Sequence, residues 1–281
     1  MKKKLMAVLG VAAAMCLCFA LAGCGGSTAS SIEKLSDLEG KVVITQVDSA
    51  ALEVLDGDMK DLQATFKDGK AQTISDYNNA FMQLESGAVD AVACDLSIAA
   101  YQMAAKPDTF KMLDEQLSSE HYAVGFKKDE EGQKLADAIT ATLVEMDKDG
   151  TVKAICDKYR EQGISYENWC LDASAAADAD TSVAPKDKVL VLGFDKGYPP
   201  YGYMGDDGEY TGVDIDLATE ACKRLGWELK LEPIDWDAKD ALINQGDITC
   251  IWNGFTYEGR EDAYAFSGQY MINAQVVVVK K

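Results

Sequence analysis

Short apolar runs alternate with amphipathic segments along most of the chain. Runs rich in β-branched residues and bounded by glycine or polar residues predict strands, and apolar residues three and four positions apart predict helices. The predicted strands are residues 40–47, 89–94, 121–127, 188–194, 227–232, 247–252 and 275–279. The predicted helices are residues 50–55, 77–86, 98–105, 130–147, 151–161, 214–225 and 237–244. This alternation favours an α/β fold with mostly parallel sheets.

Residues 173–187, ASAAADADTSVAPKD, interrupt the alternation with small, polar and acidic residues, so they predict a linker. The parts on either side of it share a pattern. Residues 84–95 and residues 241–253 each read as a helix end, a glycine, a buried strand and a polar residue. Ligands bind at the carboxyl ends of strands in open α/β sheets. We therefore expect two sheets that face each other across a cleft.

The N-terminus reads as an export signal. Lysines 2–4 precede an apolar or small run, residues 5–22, and the sequence Leu21-Ala22-Gly23-Cys24 resembles the lipobox of bacterial lipoproteins. A membrane-spanning helix is the alternative, but the run barely reaches spanning length and ends in small residues. The resemblance implies cleavage before Cys24, lipidation of its thiol, and anchoring on the extracytoplasmic face of the bacterial cell membrane.

Composition narrows the possible functions. The formal net charge of −20 disfavours nucleic-acid binding, which needs clustered lysine and arginine. Five cysteines remain after the lipobox, none in a C-x-x-C pair, so no zinc site is expected. A disulfide is compatible with an exported protein, and Cys156 and Cys170 are the pair nearest in sequence; buried free thiols are the alternative.

Three motifs point to a family. Residues 195–201 and 212–217 follow the patterns D-x-x-Y-P-P-[FY] and G-[FV]-D-[IV]-D-L. Residues 252–256 follow W-N-G-[FY]-[ST], with Arg260 six positions before an F-S pair, and residues 86–95 follow sG-x-vDAvv-x-D. The chain resembles the polar amino-acid-binding proteins of ABC importers, which are type 2 periplasmic binding proteins of extracellular solute-binding family 3. The resemblance implies two lobes, each a mostly parallel sheet flanked by helices.

The segments occur in a different order from that of the family. Family members begin with the segment found here at residues 187–281 and continue with that at residues 32–172, so the resemblance implies a circular permutation. One hinge crossing, near residues 121–128, would stay covalent, and the other would be cut between Lys281 and Ser31, which predicts a loose hinge. The expected parts are signal peptide 1–23, tether 24–31, lobe 2 at 32–128, C-terminal helices of lobe 1 at 129–172, linker 173–187 between the ancestral termini, and the main part of lobe 1 at 188–281.

The resemblance also implies the binding residues. A free α-amino acid presents a carboxylate and an ammonium, which need a forked cation and a carboxylate. Arg260 matches the family's carboxylate-binding arginine, and Asp95 matches its ammonium-binding aspartate. Asp48 stands where the family often has glycine, so its carboxylate has to point away from the site. The other expected ligand-binding residues are Ser49 at the ligand carboxylate, Thr256 and Gly254 on the other wall, Tyr198, Trp236 and Trp252 around the ligand side chain, and Asp195 in the distal pocket.

Each of these assignments has a structural alternative. Arg260 lies among acidic neighbours and could form a solvent-exposed salt bridge with them. Plain helix capping is the alternative for Asp95 and Ser49. An ordinary core position is the alternative for Trp252, and a surface acid is the alternative for Asp195.

The function that follows is a solute-binding lipoprotein, not an enzyme. We expect a monomer without cofactor or metal that captures a polar, basic or cystine-like amino acid and delivers it to an ABC permease with its ATPase. A dehydratase-like enzyme on the same fold is one alternative, although the single histidine, His121, forms no recognisable catalytic pair. A ligand sensor without transport is the other.

Overall fold

The computed structural model describes residues 31–281, so the predicted signal peptide and Cys24 lie outside the described residues. The helices are α1 (Ala50–Asp56), α2 (Lys60–Gln63), α3 (Tyr77–Ser86), α4 (Leu96–Ala105), α5 (Glu130–Lys148), α6 (Thr151–Lys158), α7 (Val213–Leu225) and α8 (Lys239–Gln245). The strands are β1 (Val43–Gln46), β2 (Gln72–Ile74), β3 (Ala91–Asp95), β4 (Phe110–Met112), β5 (Ser118–Tyr122), β6 (Gly125–Lys127), β7 (Val189–Phe194), β8 (Gly197–Tyr198), β9 (Gly202–Met204), β10 (Tyr210–Thr211), β11 (Glu228–Pro233), β12 (Cys250–Ile251), β13 (Tyr264–Phe266) and β14 (Met271–Lys280).

Within residues 31–281 the strands form two larger sheets and a small antiparallel one. Sheet 1 has the order β2-β1-β3-β14-β4, and β5 also pairs with β14. Sheet 2 has the order β11-β7-β12-β6-β13, and the small sheet has the order β10-β9-β8. In each larger sheet three neighbouring strands are parallel and one strand, β14 or β6, runs antiparallel to its partners. The α/β prediction is confirmed.

Sheet 1 is buried on both faces. Residues 91–94 of β3 and residues 276–279 of β14 are apolar runs without polar alternation, which is typical of a strand covered on both sides. In β3, Val92 and Cys94 join one apolar cluster, while Ala91 and Ala93 join a second one with α1. In β14, residues 276 and 278 lie on the first face and residues 277 and 279 on the second. Side chains alternate between the two faces along each strand, so the residues at the strand ends near the cleft also point alternately to one face and the other.

Caps explain several helix boundaries. Ser49 accepts a hydrogen bond from Leu52 N at the start of α1, and Asp76 accepts one from Asn79 N at the start of α3. Gly87 and Gly226 end α3 and α7 in the left-handed conformation, which favours glycine. The predicted ends of these helices agree with the structure within one residue.

One hinge prediction is wrong. The expected cut crossing between Lys281 and Ser31 requires residues 271–281 to belong with sheet 2. Instead β14 pairs with β3, β4 and β5, so the described chain crosses between the sheets twice, at residues 123–124 and 267–270. Both crossings are covalent, and the physical basis for a loosened hinge is absent.

Two strand predictions also need correction. Residues 121–127 form two strands instead of one, because Tyr122 still pairs with β14 whereas Gly125 pairs with β12 and β13. The predicted strand 247–252 is reduced to Cys250–Ile251. Thr249 N and Trp252 N nevertheless donate to the backbone of β7, so the ladder extends beyond the assigned strand.

The linker residues 173–187 form turns and contain no helix or strand until the short 3-10 turn that begins at Lys186. The five cysteines of the described chain are all free, so the Cys156–Cys170 disulfide is not formed. No helix within residues 31–281 has both the length and the apolarity needed to span a membrane.

Candidate functional site

The site lies where parallel strands of both sheets end. Strand β1 leads to Ser49 and β3 ends at Asp95 in sheet 1, while β7 leads to Asp195 and β12 leads to residues 252–256 in sheet 2. The carboxyl ends of parallel strands meet at one edge of a sheet. The two edges contact each other directly, since Gln46 Nε2 of β1 donates to Asp195 Oδ2 at 2.6 Å.

A cavity of about 20 Å³ lies between these edges. Space of that size holds about one water molecule, so the two walls have to move apart to admit an amino acid. Larger cavities of about 410 and 580 Å³ lie against the linker and contain none of the expected binding residues. The residues that line the small cavity are Gln46, Ser49, Ala50, Asp95, Tyr198, Trp236, Asn253, Gly254, Thr256 and Arg260.

Arg260 is buried, with 7% of its surface exposed, which contradicts the alternative of a solvent-exposed salt bridge. Its guanidinium donates to the carbonyl of Thr256 at 3.3 Å and to Glu53 Oε1 at 2.8 Å, and it stacks over the Phe255 ring at 4.8 Å. Glu53 belongs to α1, on the opposite side of the cleft. A carboxylate from the helix that follows β1 therefore binds the arginine in this closed arrangement.

Asp95 occupies the N-cap position of α4 but makes no capping hydrogen bond, which contradicts the capping alternative. Its Oδ1 accepts instead from Tyr122, Asn273 and Gln275, at 3.1, 3.0 and 2.7 Å. Burial raises the pKa of Asp95, and these hydrogen bonds partly oppose the shift. The tyrosine hydroxyl lies 2.9 Å from that of Tyr198, on the other wall.

Ser49 is both a helix cap and a cavity residue. The preceding Asp48 has φ +52, a conformation that favours glycine and that aspartate tolerates. Its side chain is half exposed and does not line the cavity, while its carbonyl accepts from Trp236 Nε1 at 3.1 Å. The Asp48 carboxylate therefore points away from the site, as the sequence required.

Two of the expected residues are not among those that line the cavity. Trp252 is fully buried and belongs to the main apolar cluster, which agrees with the core alternative. Asp195 is 8% exposed, accepts from Gly197 N at 2.7 Å and from Gln46, and so contradicts the surface-acid alternative. Burial raises the pKa of Asp195.

Asp214 holds the loop that carries Gly254 and Thr256. Its carboxylate accepts from Gly254 N at 2.6 Å and from the Tyr270 hydroxyl at 2.8 Å, and burial raises its pKa to about 7. Gly254 has φ +55, and a Cβ there would lie 2.9 Å from the Tyr198 ring. A glycine is therefore required where the loop approaches Tyr198.

Sequence reasoning missed the amide and acid side chains that surround Asp95. Glu120 is 2% exposed and accepts from Thr256 Oγ1 at 3.0 Å, and burial together with the charge of Asp95 raises its pKa to about 8. Asn273 and Gln275 are polar residues just before the apolar run of β14, which was the available signal. Gln46 ends an apolar strand and gave the same signal, whereas Asn253 was already expected as the polar residue at a strand end.

Residues 31–281 contain no group of three or more histidine, cysteine, aspartate or glutamate side chains that could hold a metal ion. The cysteine thiols are buried or half-buried, and burial raises their pKa values. The polar groups that line the described site are therefore a guanidinium, hydroxyls, amides and a carboxyl group.

Residues 190–281 match the family model of bacterial extracellular solute-binding proteins, family 3. The matched segment runs from β7 to β14 and carries Tyr198, Trp236, Gly254, Thr256 and Arg260, whereas Ser49 and Asp95 lie outside it.

Curated relatives of the chain are named as binding proteins, not as enzymes. The L-cystine-binding protein TcyJ of Escherichia coli (strain K12) is 36% identical over 93 residues, which are 33% of this chain and 35% of the relative. The L-cystine-binding protein TcyA of Bacillus subtilis (strain 168) is 32% identical over 120 residues, 42% of this chain and 44% of the relative. The chain thus spans less than half the length of these relatives.

A solved structure of an ABC uptake transporter substrate-binding protein from Streptococcus pneumoniae with bound histidine is also similar. The two sequences are 39% identical over a segment that covers 28% of this chain and 32% of the solved chain, and the TM-score is 0.27.

Proposed function

We propose that this protein is an extracytoplasmic solute-binding lipoprotein that captures an amino acid between its two sheets and delivers it to an ABC permease. The observation that carries the proposal is the cavity that places the buried Arg260 and the buried Asp95 on facing walls. Burying an arginine and an aspartate that do not pair with each other is costly unless a ligand or other groups compensate them.

The two ends of a free amino acid match these groups. The ligand carboxylate would replace Glu53 on the Arg260 fork and accept from the hydroxyls of Ser49 and Thr256. The ligand ammonium would donate to Asp95. Tyr198 and Trp236 would contact the ligand side chain.

A polar, basic or cystine-like amino acid is the ligand class that we propose. Asp195 and Gln46 form a polar end of the cleft, which suits a ligand with a second polar or charged group. The names of the two L-cystine-binding relatives and of the histidine-binding periplasmic protein of Escherichia coli (strain K12), 29% identical over 110 residues, fall within this class.

Attachment and delivery belong to the same proposal. Lipid on Cys24 would anchor the protein, and residues 24–31 would act as the tether. Closure of the two walls on the ligand would create the surface that the permease recognises, with the ATPase subunits behind it. The protein would act as a monomer without a cofactor.

We also propose that the chain is a circular permutant, with the ancestral termini joined by residues 173–187. Support comes from Glu33 and Lys281, which both contact the segment before and within β4: Lys281 N donates to Thr109 O at 3.0 Å, and Lys111 pairs with Glu33 at 2.6 Å. Permutation is tolerated where chain ends lie close together at the surface. Because both crossings between the sheets are intact, the ends that the permutation would have created, near residues 32 and 281, both belong to the lobe of sheet 1.

Isothermal titration tests the binding function. The purified full-length chain is titrated with L-cystine, L-histidine and L-arginine, beside Arg260→Ala, Asp95→Asn and the control Arg224→Ala. We expect at least one amino acid to bind, a loss of about 100-fold or more in both site variants, and unchanged binding in the control, because Arg224 pairs with Asp149 and Glu220 on surface helices.

Two results would contradict the proposed function. If none of the amino acids binds, or both site variants bind as wild type does, the proposed function is wrong. Turnover of a prephenate-like substrate would then support the enzyme alternative, and binding without any permease partner would support the sensor.

A further inference from the structure

Strand β14 carries a polar end that joins two buried acids. Asn273 lies opposite Glu120 of β5, and Gln275 lies opposite Asp95 of β3. Residues two apart on a strand share a face, so both amides point to the same side of sheet 1. The two carboxyl groups flank β14 from either side and meet over these amides.

The hydrogen bonds bind the two acids into one unit. Asn273 Nδ2 donates to Asp95 Oδ1 at 3.0 Å and to Glu120 Oε1 at 2.6 Å. Gln275 Nε2 donates to the same two oxygens, at 2.7 Å each. Two carboxyl oxygens that share the same two amide groups feel each other's charge strongly.

Within residues 31–281 neither acid forms an ion pair with a lysine, arginine or histidine, although only 4% of Asp95 and 2% of Glu120 is exposed. Two buried like charges cannot both ionise at low cost, so one proton is retained by the pair near neutral pH. The pKa of Glu120, raised to about 8 by burial and by Asp95, agrees with that expectation.

The other titratable groups around the pair do not supply a compensating charge. Around the pair lie Cys94, Tyr77, Tyr122 and Tyr198, whose pKa values are raised by burial. Nearby are also Arg260 with its partner Glu53, His121, which follows Glu120 in β5, with its partner Glu258, and the exposed Asp58. Arg260 and His121 already contact those other acids.

The pair lies at the wall of the cleft. Asp95 lines the small central cavity, and Glu120 lines a neighbouring cavity of about 400 Å³. Ala50 and Thr256 line both cavities. A cation that reaches Asp95 therefore arrives beside the amides that also hold Glu120.

We propose that Glu120 is the second acid of the ammonium site: Asp95 contacts the ligand ammonium, Glu120 is coupled to Asp95 through the shared amides, and binding releases the proton that the two acids share to solvent. This inference rests on the proposed amino-acid binding. An incoming positive charge replaces the proton as the compensating group, so the cleft selects ligands with a charged amine over isosteric neutral ones. Glu120 acts as a specificity-determining residue that reaches the ligand through Asn273 and Gln275.

Proton release is measured by titrating the full-length chain at pH 7 with L-cystine and with L-arginine, in phosphate and in Tris, whose ionisation enthalpies differ. We expect wild type to release about one proton per ligand bound and its affinity to rise about tenfold from pH 6 to pH 7. Glu120→Gln replaces the protonated acid with a neutral isostere, so proton release should fall near zero and affinity should become flat with pH.

Asp58→Asn is the matched control, because it removes another carboxylate of the neighbouring cavity and leaves the pair intact. It should release as many protons as wild type. If an amino acid binds to wild type without proton release, or Glu120→Gln releases as many protons as wild type, this inference is wrong while the binding function stands. If none of L-cystine, L-histidine and L-arginine binds, the proposed function has failed and the inference fails with it.

Discussion

Single residues decide how the proposed site would recognise a carboxylate. Arg260 is buried with its guanidinium over the Phe255 ring and donates to Thr256 O, so its position is defined before a ligand arrives. Its remaining partner, Glu53, is 48% exposed in its side chain and is part of the opposite wall. In the proposed binding mode the ligand carboxylate would therefore compete with Glu53 for the same guanidinium.

Glu53→Gln should strengthen amino-acid binding by about three- to tenfold, because a neutral amide competes less well for Arg260. The dissociation constant from isothermal titration measures this. Glu261→Gln is the control, since Glu261 is adjacent to Arg260 in sequence but does not pair with it. Weaker binding in Glu53→Gln, or an equal gain in both variants, would contradict competition at Arg260.

Gly254→Ala should weaken both folding and binding. The residue has φ +55, and the added Cβ would meet the rings of Tyr198 and Tyr122 at 2.9 and 3.0 Å. We expect a loss of about 1–3 kcal/mol in the free energy of unfolding, measured by urea denaturation, and a loss of binding. Gly208→Ala, also at positive φ but with open space around its Cβ, should cost less and leave binding intact.

Among single residues, the sequence pointed to the cleft where a residue type has few roles at its position. The structure brings Arg260, Ser49 and Asp95 to one cavity, and their contacts with a ligand stay predictions. Glu120 and Asn273 were not expected there, because their hydrogen bonds come from pairing between strands far apart in the chain. No local pattern encodes that register.

At the scale of the elements, β14 links the fold to the site. Its apolar half, residues 276–279, fills both faces of sheet 1, and its polar half carries the amides that hold Asp95 and Glu120. The sequence predicted only residues 275–279 as strand. Residues 271–274 were missed because their sequence has no apolar alternation; backbone pairing with β5 makes them strand.

The buried acids predict how stability depends on pH. Glu120 and Asp214 have pKa values raised to about 8 and about 7 in the folded state, so folding binds protons in this range. Their contribution is fully present below the unfolded pKa of a carboxyl group and is lost as pH rises through the folded values. The free energy of unfolding should therefore fall between pH 5.5 and 8.5, with roughly 3 kcal/mol from Glu120.

Urea denaturation at several pH values checks this dependence. Glu120→Gln should lose most of the decline between pH 5.5 and 8.5, and the exposed Glu209→Gln should keep it. A wild-type stability that rises with pH across this window would contradict the proposed state of the buried acids.

At the scale of the whole molecule, the order of the segments along the chain does not determine how many times the chain crosses between the two sheets. The sequence correctly predicted helices and strands on both sides of the linker and an α/β fold. It placed a break at a hinge because the last strand could not be assigned to a sheet from its composition alone. Pairing of β14 with β3 settles that assignment, and residues 32–281 form one compact unit.

The proposed permutation predicts that the chain order can be reversed without loss. A rearranged chain that begins at Asp187, continues from Lys281 into Ile32, and ends at Asp172 should fold and bind with a dissociation constant within about threefold of wild type. Thermal denaturation and isothermal titration measure both properties. A rearranged chain that is soluble and folded but does not bind would contradict the equivalence of the two orders.

A crystal structure of the full-length chain with the amino acid that binds most tightly among L-cystine, L-histidine and L-arginine would test the account most directly. We predict the ligand carboxylate on Arg260, with Glu53 displaced, and the ligand ammonium on Asp95 beside Glu120. A ligand bound outside the cavity between the sheets, or one whose ammonium does not contact Asp95, would contradict it.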